Sequence, residues 1–315
     1  MNSIDLQVSD EVRAALGAGR AVVALESSLI AHGFPRPDNL DLARSLESTV
    51  RARGAVPATV ALLDGRARIG LDSRSLARLA EDTGVAKCSV RDLAYLLATG
   101  NSGGTTVAAT ARLAAAAGIA VFATGGIGGV HRGGNHQLDV SADLVEFARA
   151  PVAVVASGAK ALLDLPATLE VLETQGVPVV GYRTSEFPAF YTAASGLTLA
   201  QRCDDLATLA AVVRTHLGLG AGGILVCNPP PAALALAPAE VEALVEAALG
   251  EAASAGIVGP AVTPYVLAAL GRLSGGRTRA VNRALILANA ELGADLAVAL
   301  ASPARPVSPS SRGAT

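Results

Sequence analysis

Tryptophan is absent, aromatic residues make up only 3% of the 315-residue chain, and its charges nearly cancel: 25 Lys+Arg against 27 Asp+Glu give a formal charge of −2. A nucleic-acid binder ordinarily carries a basic excess or interleaved stacking aromatics, and neither footprint is present. Cysteine is scarce and odd in number. Cys88, Cys203 and Cys227 lack Cys-x-x-Cys spacing, which excludes a disulfide frame and a zinc site and points to reduced thiols in a cytoplasm. Two uncharged runs raise the membrane question, but Leu113–Val130 is interrupted by Gly118, Gly125, Gly126, Gly128 and Gly129, and Ala252–Gly271 by Pro260 and Pro264. A spanning helix needs about 20 continuous apolar residues, so no membrane span is expected. Met1–Val12 carries Asp5, Asp10 and Glu11 without a basic stretch, unlike a secretory signal. Lysine is rarest among the charged residues: only Lys87 and Lys160 occur, every other cation of this class being arginine.

What the chain does have is apolar mass. Hydrophobic residues are 51%, charged residues 17%, and mean hydropathy is +0.45, which excludes disorder or a coiled coil as the main state. Short apolar runs at Ala21–Leu25, Thr59–Leu63, Ile119–Ala123, Val152–Ala156, Val177–Gly181 and Gly223–Cys227 alternate with helical patterns. The alternation predicts an α/β fold, a three-layer α/β/α sandwich whose central sheet is mostly parallel and buried on both faces. Asp64-Gly65 between Ala61–Leu63 and Ala67–Ile69 reads as a tight hairpin, making the sheet mixed. Leu42, Leu46 and Val50 share one helical stripe closed by Gly54, and Asp204 reads as the cap of a helix through Leu217. Pro166 and Pro238 sit near helix starts, where a missing amide donor costs nothing. No repeat or long linker divides the chain. We read residues 1–301 as one domain and 302–315 as a disordered Pro/Ser-rich tail.

In open α/β sheets ligands gather beyond the carboxyl ends of the strands, so polar residues following the strand runs come first. Glu26 ends the first of them, where apolar walls would raise its pKa and suit it to general acid work; the alternative is a carboxylate satisfied by amides or an arginine. Gly100–Thr106 leads into an Ala-rich helix, and Gly125–Gly134 follows Ile119–Ala123; backbone amides in such places favour phosphate. Neither run is a dinucleotide fingerprint, because His131 stands where the third glycine belongs, and no Gly-Lys-Ser/Thr of a P-loop occurs. His131, Arg132 and His136 fall in or beside the second run. Beyond them, Asp139 could meet a hard cation completed by water and substrate oxygens, while Ser141 reads as a helix cap with Asp143 in the first turn. Lys160 follows an apolar strand and the small turn Ser157-Gly158-Ala159. An amine in such surroundings would have a lowered pKa and could attack a carbonyl carbon; an ordinary phosphate-pairing lysine is the alternative. Lys87 is the second lone lysine among small residues.

Together these segments resemble the pseudouridine-5'-phosphate glycosidase family, which includes the indigoidine synthase A type proteins. The matching stretches are 24–37, 54–59, 124–133, 139–143, 157–166, 181–191 and Asn228-Pro229, in family order from about residue 8 to 300. The resemblance implies reversible cleavage of the C–C glycosidic bond of pseudouridine 5'-phosphate to uracil and ribose 5-phosphate. Lys160 would form a Schiff base with C1' and Glu26 would be the proton donor. Lys87, the backbone at Val107, His131, Ser141, Ala142, Asp143 and Asn282 would contact the substrate, and Asp139 would hold one Mn2+ per subunit. A cytoplasmic homotrimer is implied as well. Ser28, Val90 and Ala167 depart from common family residues at positions that bear on affinity. Two other readings rest on the residues: a sugar kinase built on the glycine runs, and a non-catalytic sugar-phosphate module. The first predicts nucleotide binding, and the second predicts no uracil release.

Overall fold

The computed structural model describes residues 5–132 and 139–302. His136, the Gly133-Gly134 end of the second glycine run, and all of the tail beyond Ser302 lie outside the described residues. The strands are β1 Leu6–Val8, β2 Val22–Leu25, β3 Val56–Leu63, β4 Arg66–Ile69, β5 Ala86–Cys88, β6 Gly103–Thr105, β7 Val121–Ala123, β8 Val130–His131, β9 Ala153–Ala156, β10 Leu163–Asp164, β11 Val179–Tyr182, β12 Gln201–Cys203 and β13 Ile224–Cys227. The main sheet runs β1-β4-β3-β2-β7-β9-β13-β11-β12, with β6 joining β3 and β5 joining β6. From β3 to β12 along this path all neighbours are parallel, while β4 and β6 pair antiparallel with β3. The sheet is therefore mostly parallel and mixed. The expected Asp64-Gly65 hairpin joins β3 to β4, with both turn residues at positive φ. Strands β2, β3, β7, β9 and β13 are buried along their whole length, which explains the continuous apolar runs and the high hydropathy.

The helices are α1 Asp10–Gly17, α2 Asp38–Ala52, α3 Ser73–Glu81, α4 Leu93–Thr99, α5 Val107–Ala116, α6 Ala142–Phe147, α7 Leu165–Thr174, α8 Leu206–Gly218, α9 Pro238–Ser254, α10 Val262–Leu273 and α11 Arg277–Ala301. Helix α11 lies along β2, β7 and β9 and packs on α2 and α8, while α5 crosses β2, β3 and β7 beside α6, so helices cover both faces. The stripe Leu42, Leu46 and Val50 is buried on α2, as its spacing requires. The cap of α8 is Asp205, not Asp204: its carboxylate accepts the amide of Thr208 at 2.8 Å, whereas Asp204 instead pairs with exposed Arg202. Two acidic residues in tandem made the choice ambiguous in sequence. Arginine and acidic residues punctuate helix α11, so it is not an uncharged run. It is nevertheless long and apolar enough by composition to cross a membrane, with mean hydropathy 1.6 over its most apolar window. Here it is a core helix, burying Leu285, Ile286, Asn289, Ala290, Gly293 and Ala297. Cys88, Cys203 and Cys227 are free and buried.

Phe122, at the centre of β7, is fully buried, and truncating it would leave a cavity in the core. Phe122→Ala is expected to destabilise the fold by about 3–5 kcal/mol, read by denaturant unfolding at constant m-value.

Candidate active site

Because β2, β7, β9 and β13 run parallel and in register, the residues that follow them share one edge of the sheet: Glu26, Thr124, Ser157 and Asn228. Glu26 is 7% exposed. The Thr124 hydroxyl donates to its Oε1, and the Ser28 hydroxyl donates to its Oε2 at 2.5 Å. Burial pushes its carboxyl above the ordinary glutamate value. The positive charge of Lys160 and the two hydroxyls act in the opposite sense, while Asp143 adds to the rise. Ser28 reaches Glu26 because the chain leaves β2 into a π-helical turn, Leu29–Gly33, a local widening common at functional sites. The same turn sets His32 next to Lys87, a neighbour that the one-dimensional reading missed.

The first glycine run is not an open loop. Gly103 and Gly104 lie inside β6, where the backbone of Gly104 presses on Ser27, Ser28 and Ala31 so closely that a Cβ would sit 3.0 Å from the Ala31 methyl. Thr106 then caps α5, whose first amide, Val107, has no protein acceptor among the described residues. The Ala108 amide donates to Asp143 Oδ1 at 2.8 Å, and the Gly128 amide donates to Asp143 Oδ2 at 2.7 Å. Asp143 thus clasps the start of α5 to the second glycine run, and Ser141 caps α6 by accepting the Asp143 amide at 3.2 Å. The Arg112 guanidinium holds buried Glu146 bidentately at 2.6 and 2.8 Å, locking α5 to α6 beneath this clasp.

Lys160 is placed by its backbone. Its amide donates to the Ile127 carbonyl at 3.1 Å, and its carbonyl accepts from Leu163 at 3.0 Å. Gly158 carries φ 71°, and a Cβ there would lie 1.8 Å from the Pro188 carbonyl oxygen. Phe190 also has positive φ, donates its amide to the Ser157 carbonyl at 3.0 Å, and lays its ring where a Cβ on Gly126 would be. Arg132, beside the second glycine run, is occupied by the protein itself: it donates to the carbonyls of Ala161 and Leu163 and pairs with Glu242. It braces the lysine turn from outside. Lys87 is an exposed residue of β5 whose ammonium is drawn below the ordinary lysine value by partial desolvation, followed by the charge of Lys160. Lys87 pairs in register with Gly104, whose backbone presses on Ser27 and Ser28, so both lysines of the chain lie around Glu26 and Asp143. Asn282 on α11 is half-buried, and its Oδ1 is buried without a hydrogen-bond partner. At the rim, Asp139 Oδ2 lies 3.9 Å from His131 Nε2. No group of three His, Cys, Asp or Glu side chains gathers as a metal cage among the described residues.

Comparison with known proteins matches this arrangement to one family. Residues 11–299 match the family described as indigoidine synthase A like protein. A pseudouridine-5'-phosphate glycosidase from Herpetosiphon aurantiacus is 52% identical over 296 residues, 94% of this chain and 98% of the relative. One from Rhodospirillum centenum is 57% identical over 297 residues, 94% and 92% of the two chains. Among solved structures, the prealnumycin C-glycosynthase AlnA in complex with ribulose 5-phosphate superposes with TM-score 0.88 at 42% identity, covering 96% of this chain and 98% of that one. An indigoidine synthase A-like protein from Thermotoga maritima gives TM-score 0.87 at 32% identity, with the same coverage.

Gly158→Ala combines an unfavourable φ with a backbone clash and is expected to cost more than about 3 kcal/mol, whereas Gly118→Ala, at similar φ but in open space, is expected to cost about 1 kcal/mol. Parallel thermal unfolding of the two variants checks the difference.

Proposed function

The chain belongs to the family of indigoidine synthase A like proteins, and we propose that it is a pseudouridine-5'-phosphate glycosidase. The observation that carries the reading is one buried, hydroxyl-held carboxyl at the end of β2, with Lys160 on the turn after β9 and Lys87 paired in register with Gly104, which presses on Ser27 and Ser28. Pseudouridine joins ribose to uracil through carbon, so no glycosidic heteroatom is available to protonate. The Lys160 amine adds to C1' as the C1'–ring oxygen bond breaks, and a proton passes from the new ammonium to the released oxygen, leaving a neutral secondary amine. The nitrogen lone pair then forms the C1'=N bond while the C1'–C5 bond breaks, and the released electron pair at uracil C5 takes a proton from Glu26. Water hydrolyses the imine, freeing ribose 5-phosphate and the lysine. The sequence is reversible in principle, and a C-glycosynthase among the structural relatives accords with a site that handles the same bond in either direction.

The remaining residues suit the substrate's other groups. The unpaired Val107 amide at the start of α5 and the Lys87 ammonium supply donors and positive charge for the 5'-phosphate, whose binding energy positions C1'. Ser141, Ala142 and Asp143 border the same helix start, and His131 lies at the rim. The buried, unpartnered Oδ1 of Asn282 calls for a donor, and the substrate offers uracil N–H groups and sugar hydroxyls. Asp139 fits a water-rich divalent cation site better than a protein cage, being one half-exposed carboxylate near an imidazole. It is the residue we assign to one Mn2+ per subunit, which when bound would supply positive charge for phosphate or sugar oxygens. The reading carries a single domain over 1–301 and a cytoplasmic homotrimer with it; light scattering on the purified protein tests the trimer.

Incubation with ribose 5-phosphate and borohydride, followed by peptide mapping, is expected to mark Lys160; an adduct confined to Lys87, or none, would sink the mechanism. Lys160→Ala is expected to lower uracil release by about a thousandfold or more. Glu26 must be protonated to act and its carboxyl is raised by burial, so kcat/KM is expected to fall as pH rises through that raised value. Glu26→Gln is expected to retain substrate binding while losing both turnover and this alkaline limb.

A further inference from the structure

Asn289 is completely buried in the middle of α11. Its Nδ2 donates to the Thr124 carbonyl at 2.8 Å, to Ser157 Oγ at 3.1 Å and to the Gly125 carbonyl at 3.3 Å. Its Oδ1 accepts from Asn228 Nδ2 at 3.0 Å and from the Ser157 hydroxyl at 3.4 Å. One planar amide therefore joins the ends of β7, β9 and β13. The helix comes this close because residue 125 is glycine: a Cβ there would lie 2.6 Å from Ile286 Cγ1. Thr124 is at once the residue whose carbonyl Asn289 holds and the residue whose hydroxyl donates to Glu26 Oε1. A bond to the backbone of a residue constrains the direction in which its side chain can point, and Thr124 has few alternative rotamers.

We propose that Asn289 is a positioning residue for the acid: by fixing the Thr124–Gly125 backbone it aims the Thr124 hydroxyl at Glu26. The inference rests on the reading of Glu26 as proton donor, but its physical content is a coupling between an amide on α11 and a carboxyl at the end of β2. The groups that act on Glu26 are the hydroxyls of Ser28 and Thr124, the ammonium groups of Lys160 and Lys87 and the carboxylate of Asp143. Of these, Thr124 is the one that Asn289 touches directly. Losing its hydroxyl, or letting it turn away, removes a donor that favours the carboxylate and moves the Glu26 titration upward.

The test is a carbon NMR titration of protein labelled at the glutamate carboxyls, with the Glu26 signal identified by its absence in Glu26→Gln. It is run on the wild type, Asn289→Ala, Thr124→Val and the double variant. Both single variants are expected to raise the Glu26 midpoint, and the double variant is expected to go no further than Thr124→Val alone. In turnover, Asn289→Ala is expected to lower kcat by about tenfold or more while KM stays within about twofold. A variant that unfolds at lower temperature but keeps the wild-type midpoint and kcat would overturn the proposal, as would full additivity of the two midpoint shifts. If Asn289→Ala does not fold, Asn289→Ser carries the same titration, with the same outcomes deciding. Absence of uracil release by the wild type would count against the glycosidase reading alone, since the titration is read without substrate.

Discussion

A carboxyl group at the end of a buried parallel strand has to be satisfied there or not be there at all, and the surroundings of Glu26 follow from that constraint. Taking its charge out of water is costly, and the nearest polar groups are hydroxyls, which stabilise a carboxylate without neutralising it. Lys160 and Asp143 act on it by charge in opposite senses. The result is a group that holds its proton above the usual carboxylate range yet remains hydrogen-bonded at both oxygens. The π-helical turn after β2, the threonine at the end of β7 and the clasp made by Asp143 are all parts of one arrangement around that carboxyl.

The glycine-rich stretch after β7 has a different part in this from the one its composition implies. It is bound at both sides, by Asp143 to α5 and α6, and by the Ser157 and Lys160 amides to the turn after β9. Its glycines admit neighbours instead of conferring freedom: Ile286 at 125, the Phe190 ring at 126, Ser141 at 128 and Thr168 at 129. Lysine and carboxyl, which are 134 residues apart in the chain (160 − 26), are thereby referred to one rigid frame.

Much of this was legible in sequence. The buried strands announced themselves as apolar runs, the β3–β4 turn as Asp-Gly, the cap of α6 as Ser141, the start of α7 through Pro166, and the site as the polar residues following the strands. What escaped was of two kinds. Some features depend on which of two equivalent neighbours wins, as with Asp205 over Asp204. Others depend on contacts between segments far apart in the chain, which no local pattern carries: β6 made of glycines because it presses against the π-helical turn, Arg132 claimed by nearby carbonyls, and Asn289 set in an apolar helix 165 residues from the carbonyl it holds. A buried asparagine within an apolar helical stripe was the one available signal for the last of these.

Helix α11 follows every strand of the sheet in the chain, yet it covers β2, β7 and β9 and carries both Asn282 and Asn289. During synthesis the strip of sheet between α2 and α8 emerges uncovered, with the ends of three strands untied. An apolar face of this kind is an aggregation hazard until it is covered. The order of elements leaves the site incomplete until α11 has been made: a nascent chain halted before residue 277 would carry the strands without the helix that joins their ends.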